Sequence, residues 1–170
     1  MNSQLEKDTR QSLLQSLHKT MVDVHTAAVR SKNMAAIKNK NTKPELIIRK
    51  LIHGAGYRYS LHSKALPGKP DIVLKKYKAI INVNGCFWHA HDCHLFKLPR
   101  TRTSFWQEKI SGNTRNDKLH IKQLSSKGWK ISTVWECAIK GKTQLVPDQI
   151  LQTLEKWLNS REQVIEISGK

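Results

Sequence analysis

Apolar positions along the chain switch between a helical and a strand period, and the switches outline the elements. Leu13, Leu14 and Leu17 recur at helical spacing in a polar opening. Residues 1–20 are therefore predicted to be an appended amphipathic segment, ordered only where those leucines find a partner surface. The stretch from Arg30 to Lys40 is basic and interrupted by Met34 and Ile37. Thr42-Lys-Pro-Glu45 reads as a capping box, with Pro44 in the first turn and Glu45 reaching back to the cap. It opens a predicted helix with Leu46, Ile47, Leu51 and Ile52 on its apolar face, ended by Gly54 and Gly56.

Strand signals follow at Tyr57 to Leu61, Asp71 to Leu74 and Ala79 to Val83, the last two separated by a tight turn around Lys75 to Lys78. A second helix is expected over Ser104 to Leu124, weakened in its middle by Gly112. Trp129, Ile131, Thr133 and Trp135 alternate as a strand does. A last helix from Pro147 places Ile150, Leu151, Leu154, Trp157 and Leu158 on one face. The order helix, three strands, helix, strand, helix predicts an α/β domain with a single mixed sheet flanked by helices. It is expected over residues 21–160, with residues 161–170 as a C-terminal tail.

Charge narrows the partners. Thirty Lys and Arg against thirteen Asp and Glu, in 170 residues, give a net charge of +17. Folding does not need such an excess, which raises self-repulsion, so a polyanion is implied, with nucleic acid ahead of an anionic membrane. There is no long apolar run to enter a bilayer. Met1 to Arg10 is polar and lacks a signal-peptide core, so a cytoplasmic location is expected, where stable disulfides are uncommon.

The three cysteines are then better explained by metal. Cys86, His91 and Cys93 lie close together and Cys137 follows the fourth strand. One cluster plus one distant thiolate is the layout of a structural Cys3His zinc site, with no position left open for catalysis. His89 and His94 compete with His91 on spacing alone. A second candidate site combines Asp71, at the head of one strand, with Asn84 and His89, at and beyond the end of its hairpin partner. A carboxylate to hold Mg2+ and a histidine to move protons are adequate machinery for phosphodiester hydrolysis.

Several ordered blocks resemble the very short patch repair (Vsr) endonuclease family. They are Arg30-Ser-Lys-Asn-Met34, Pro67-Gly-Lys-Pro-Asp71, Asn84-Gly-Cys-Phe-Trp-His-Ala-His-Asp-Cys93, Thr101-Arg-Thr103 with Phe105-Trp106, and Val134-Trp-Glu-Cys137. The resemblance spans roughly residues 22 to 158. It implies a PD-(D/E)xK restriction-endonuclease-like core with a structural zinc. It also implies Mg2+-dependent nicking of double-stranded DNA 5′ to the thymine of a T·G mismatch left by 5-methylcytosine deamination. By the same resemblance, Asp71 and the backbone carbonyl of Val83 hold Mg2+, His89 is the catalytic histidine, Asp117 orients it, and Glu45 lies near the site. Cys86, His91, Cys93 and Cys137 match the zinc ligands.

Asn84 departs from the pattern, where His or Asp is expected. It can hydrogen-bond but neither shuttles a proton nor adds negative charge. The usual Glu-x-Lys is also missing; Asn82-Val83-Asn84 stands in its strand, and His89 would substitute for the lysine. The resemblance further casts Phe87, Trp88 and Trp106 as wedges between base pairs from the major groove, with Met34 and Ile37 on the minor-groove side. Arg30, Lys32, Lys38, Lys97, Arg102 and Lys109 are expected to position the phosphate backbone. The implied protein is bacterial, cytoplasmic, nucleoid-associated and monomeric, with mismatch-repair proteins as further partners. Two rival readings are a zinc-stabilised DNA-binding protein without cleavage and a PD-(D/E)xK nuclease of other specificity. Mg2+-dependent nicking separates the first, and T·G against T·A substrates the second.

Overall fold

The computed structural model describes residues 26–35 and 40–169. It divides into two compact units, residues 1–39 and 40–170. In the first, helix α1 (Ala27–Ala35) is described. The predicted amphipathic segment and Ile37 and Lys38 lie outside the described residues, and so does the expected boundary at residue 20.

The second unit begins with α2 (Lys43–Gly54). Thr42 caps it, its Oγ1 accepting from the Glu45 amide at 3.3 Å. The reciprocal half of the expected capping box is replaced. Glu45 turns its carboxylate inward and is only 2 % exposed, facing His62 instead of the cap amide. The buried stripe is therefore Glu45, Ile48 and Ile52, while Leu46 and Ile47, expected on the apolar face, are exposed.

Five strands make one mixed sheet in the order β1-β2-β3-β4-β5: β1 (Ser60–Leu61), β2 (Ile72–Leu74), β3 (Ala79–Asn84), β4 (Lys130–Trp135) and β5 (Val164–Ile167). β1, β2 and β3 are antiparallel neighbours, with Val73 opposite Ile80. The turn between β2 and β3 is a 3-10 turn over Lys75–Tyr77, closed by Lys78 in the left-handed region at φ 47°. β4 joins β3 in parallel, reached through α3 (Thr103–Ser126), which runs through Gly112 without a break. A short α4 (Glu136–Ile139) and α5 (Pro147–Asn159) then lead to β5, parallel to β4.

The segment expected as a tail over 161–170 thus supplies the last strand. Its four residues alternate, Ile165 and Ile167 turning onto the core while Val164 and Glu166 are exposed, but so short a run gives a period search little to find. Its presence turns β4 into an interior strand buried on both faces, as parallel strands usually are.

Alternate residues of the strands feed two apolar layers. Ile72, Leu74, Ala79 and Ile81 pack with Ile48 and Ile52 of α2 and with Ile150, Leu154 and Trp157 of α5. Val73, Ile80 and Ile131 meet Leu124 of α3, with Leu66, Ile121 and Trp129 at the margin. Lys130 ties α5 to the sheet: its Nζ donates to the carbonyls of Trp157, Leu158 and Ser160 at the helix C-terminus. A cation there also complements the helix dipole. Among the described residues no helix is long and apolar enough to cross a membrane.

Candidate functional site

Asp71 enters the site from a constrained turn. Gly68 and Lys69 take φ values of 74° and 51° before the buried Pro70. A Cβ on Gly68 would also lie 2.8 Å from His120 Nδ1 of α3. Both the backbone conformation and the close approach call for glycine. The turn delivers the Asp71 carboxylate across the hairpin, where Oδ2 accepts from the Val83 amide at 2.8 Å. Burial pushes this carboxyl above its ordinary value. The Val83 amide pulls it back, Glu45 raises it, and His62 and His89 lower it.

The chain leaving β3 carries the remaining chemistry. His89 Nδ1 lies 2.5 Å from Asp117 Oδ2 on α3. One turn earlier on the same helix, Asn113 Nδ2 donates to the Trp88 carbonyl at 2.9 Å, so α3 grips the loop at two successive residues. Ala90, at φ 50°, follows His89 and reverses the local path. His91 then faces the cysteines instead of Asp117. Asn84 closes β3 opposite Trp135 and is partly buried.

The four expected zinc ligands converge. Ligand atoms of Cys86, His91, Cys93 and Cys137 all lie within 4.8 Å of one another. His91 Nδ1 is 3.6 Å from both Cys86 Sγ and Cys137 Sγ. A tetrahedral Zn2+ with bonds of about 2.3 Å to sulfur and 2.0–2.1 Å to nitrogen has S···N edges of roughly 3.6 Å. The donor set therefore fits such an ion. Burial, the largest influence, pushes the Cys86 and Cys137 thiols up and holds His91 down. A divalent ion deprotonates coordinating thiols outright, against that effect of burial. His94 is turned away, toward Thr143.

Trp135 links the two centres. It stacks on His91 at 4.2 Å between ring centroids and meets His89 edge-on at 6.4 Å. Its Nε1 donates to Glu166 of β5 at 2.9 Å. The last strand thus steadies the aromatic platform under both histidines. Glu136 Oε2 accepts from the Cys86 amide at 3.2 Å.

A second carboxylate stands beside Asp71. Glu45, His62 and Asp71 offer ligand atoms within 4.8 Å of one another. Sequence reading missed His62, which lies in no motif, and missed Asn113, Glu136 and Glu166, whose partners become visible only in three dimensions. Val83, expected to offer its carbonyl, contacts Asp71 through its amide, which donates to Oδ2.

Phe87, Trp88 and Trp106 form a half-buried aromatic group, with centroid separations of 5.1 to 6.0 Å. Phe105 joins it through Trp106 and is 44 % exposed, with the Arg102 guanidinium 4.5 Å above its ring. Lys97, Arg102 and Lys109 are exposed in the second unit. Lys32 and Met34 are exposed on α1, where Arg30 also lies, its side chain outside the described residues.

Comparison with known proteins converges on one family. Residues 22–95 match the family model of DNA mismatch endonuclease Vsr. The chain is similar to DNA mismatch endonuclease Vsr of Escherichia coli K12, 44% identical over 138 residues that cover 81% of this chain and 88% of that protein. It is also similar to the type II nicking enzyme V.NmeAIP of Neisseria meningitidis, 43% identical over 72% of this chain and 87% of the relative. The nicking enzyme V.XorIIP of Xanthomonas oryzae is 42% identical over 62% and 78%.

Proposed function

The chain belongs to the Vsr family of DNA mismatch endonucleases, and from that premise we propose that it is a Mg2+-dependent, strand-specific endonuclease. It nicks double-stranded DNA 5′ to the thymine of T·G mismatches produced by deamination of 5-methylcytosine. One observation carries the reading. Asp71 is pinned to β3 by the Val83 amide, and the chain leaving the end of that strand carries the His89–Asp117 pair. We read the core as PD-(D/E)xK in type, supported by the aspartate heading the second strand of a mixed sheet.

In this account Asp71 and the Val83 carbonyl hold Mg2+, and Glu45 lies alongside as a second carboxylate. When bound, the cation polarises the phosphodiester and lowers the pKa of water. Asp117, as a carboxylate, can only accept, so it fixes the Nδ1 proton of His89 and leaves Nε2 free to take a proton from the attacking water. Asn84, at the end of β3 and ahead of His89 in the chain, supplies hydrogen bonding and no charge. Cys86, His91, Cys93 and Cys137 hold a structural Zn2+ that clamps the catalytic loop to the start of α4.

Phe87, Trp88 and Trp106 wedge into the duplex from the major groove, and Met34, assisted by Ile37, enters from the minor groove. A mismatched pair unstacks at lower cost than a Watson–Crick pair, so wedging contributes selectivity. Arg30, Lys32, Lys97, Arg102 and Lys109 bind phosphates and fix register. The excess of basic residues suits a monomer working on the bacterial nucleoid beside mismatch-repair proteins.

The test uses end-labelled duplexes that differ only in T·G against T·A, incubated with Mg2+ and mapped at nucleotide resolution. A nick 5′ to the mismatched thymine alone is expected. Binding of both duplexes without cleavage would favour a DNA-binding protein, and equal cleavage of both would indicate a nuclease of other specificity.

A further inference from the structure

Two buried atoms next to Asp71 have no hydrogen-bond partner. Glu45 Oε1 and His62 Nε2 lie 3.1 Å apart, yet neither makes a hydrogen bond. Glu45 is 2 % exposed and the His62 side chain 15 %. Arg49 Nη1 approaches the same Glu45 oxygen at 3.5 Å but donates instead to Asn41 at 2.7 Å. A buried carboxylate oxygen with no donor retains its full desolvation penalty. Across the imidazole, Nδ1 is 3.8 Å from Asp71 Oδ1. An oxygen of each carboxylate and a nitrogen of the ring lie within 4.8 Å of one another.

The separation suits shared coordination better than a hydrogen bond. Cis ligands of an octahedral ion with bonds of about 2.1 Å are roughly 3.0 Å apart. Despite the 3.1 Å separation, no hydrogen bond joins His62 Nε2 to Glu45 Oε1. The backbone holds the residue at some cost. His62 sits at φ 47°, in the left-handed region, with its amide donating to the Asp71 carbonyl at 3.2 Å. Such strain persists where the surroundings over-determine it, and it clusters at functional sites.

We propose that His62 is a ligand of the metal seated on Asp71, completing a Glu45–His62–Asp71 site that favours Mn2+ over Mg2+. Mg2+ prefers oxygen ligands and gives up its waters reluctantly, whereas imidazole suits transition-metal ions. The inference rests on the reading of Asp71 as the metal seat and adds a nitrogen donor to it.

Mn2+ binding to the zinc-loaded protein tests it without reference to cleavage. Electron paramagnetic resonance reads free Mn2+, and Mg2+ is titrated in as competitor. His62→Asn is the main variant, because Asn tolerates the left-handed region and is too short to reach Glu45. Its Mn2+ affinity should fall roughly tenfold or more with Mg2+ affinity within about twofold, since even outer-shell partners are worth about 10–100-fold. His62→Gln, with a longer oxygen-bearing side chain, should likewise lose the preference for Mn2+. Electron spin echo modulation should show nitrogen coupling to bound Mn2+ in the unaltered protein and lose it in both variants. An unchanged Mn2+/Mg2+ ratio, or no nitrogen coupling, overturns the proposal. Asp71→Asn separates the two levels. Loss of both ions there upholds the seat whatever His62 does, and retention of both removes the seat itself.

Discussion

Replacing Asp117 by Asn perturbs one contact and leaves the shape of the side chain intact. As a carboxylate, Asp117 can only accept, so the 2.5 Å contact fixes the proton on His89 Nδ1. An amide can turn either end toward the ring, and the imidazole loses both its charged partner and its enforced tautomer. A hydrogen bond to a charged group is worth about 1.5–3 kcal/mol. The two side chains are 23% and 31% exposed, so solvent screening favours the lower half of that range. A loss of about 1.5–2 kcal/mol from the transition state corresponds to roughly ten- to thirtyfold in rate.

The assay is single-turnover nicking of a labelled T·G duplex at saturating protein, with DNA binding and thermal unfolding measured on the same samples. Binding and folding should be unchanged. In a His89→Ala background Asp117→Asn should have little further effect, because residues acting through one another are not additive. Wild-type nicking by Asp117→Asn would refute the reasoning. So would an equal slowdown in the His89→Ala background, since Asp117 would then act by another route.

Purified protein should contain one zinc per chain, checked by metal analysis. Cys137→Ala should lower the yield of folded protein, because it removes the one ligand outside the loop cluster. Trp88→Ala should lower affinity for T·G duplexes by about 1–3 kcal/mol, with a smaller effect on T·A, measured by competitive binding. Metal binding should weaken on acidification earlier than at an ordinary carboxylate. Asp71 must be ionised to bind, and burial raises its pKa, so the ionised form is lost at a higher pH. Calorimetric titration of Mg2+ across a pH series checks this, and a midpoint at or below the ordinary carboxylate value would count against it.

The proposed zinc ligands were legible because three of them share a short segment and an odd number of cysteines argues against a disulfide framework. Asp71 and His89 were legible through their positions at the two ends of a hairpin. His62 was not, since a lone histidine in a loop acquires meaning only when the fold brings Glu45 and Asp71 to it. Glu45 illustrates the same limit from the other side. Local rules assign it to a capping box, but tertiary contacts draw its carboxylate inward. That choice also rotates the helix, leaving Leu46 and Ile47 outside. β5 escaped notice because its four residues are too few to show a period, although Ile165 and Ile167 reach the core and Glu166 anchors Trp135 beneath both histidines.

The most direct test of the central claim, that Asp71 is the metal-bearing carboxylate of a mismatch nickase, compares wild type with Asp71→Ala on T·G and T·A duplexes in Mg2+. Wild type should nick the thymine strand of T·G alone. The variant should bind T·G at least as well, having lost a negative charge near phosphate, and should leave it uncut. Wild-type nicking by folded Asp71→Ala protein would contradict the account, since the reaction would then proceed without the carboxylate on which the metal is seated.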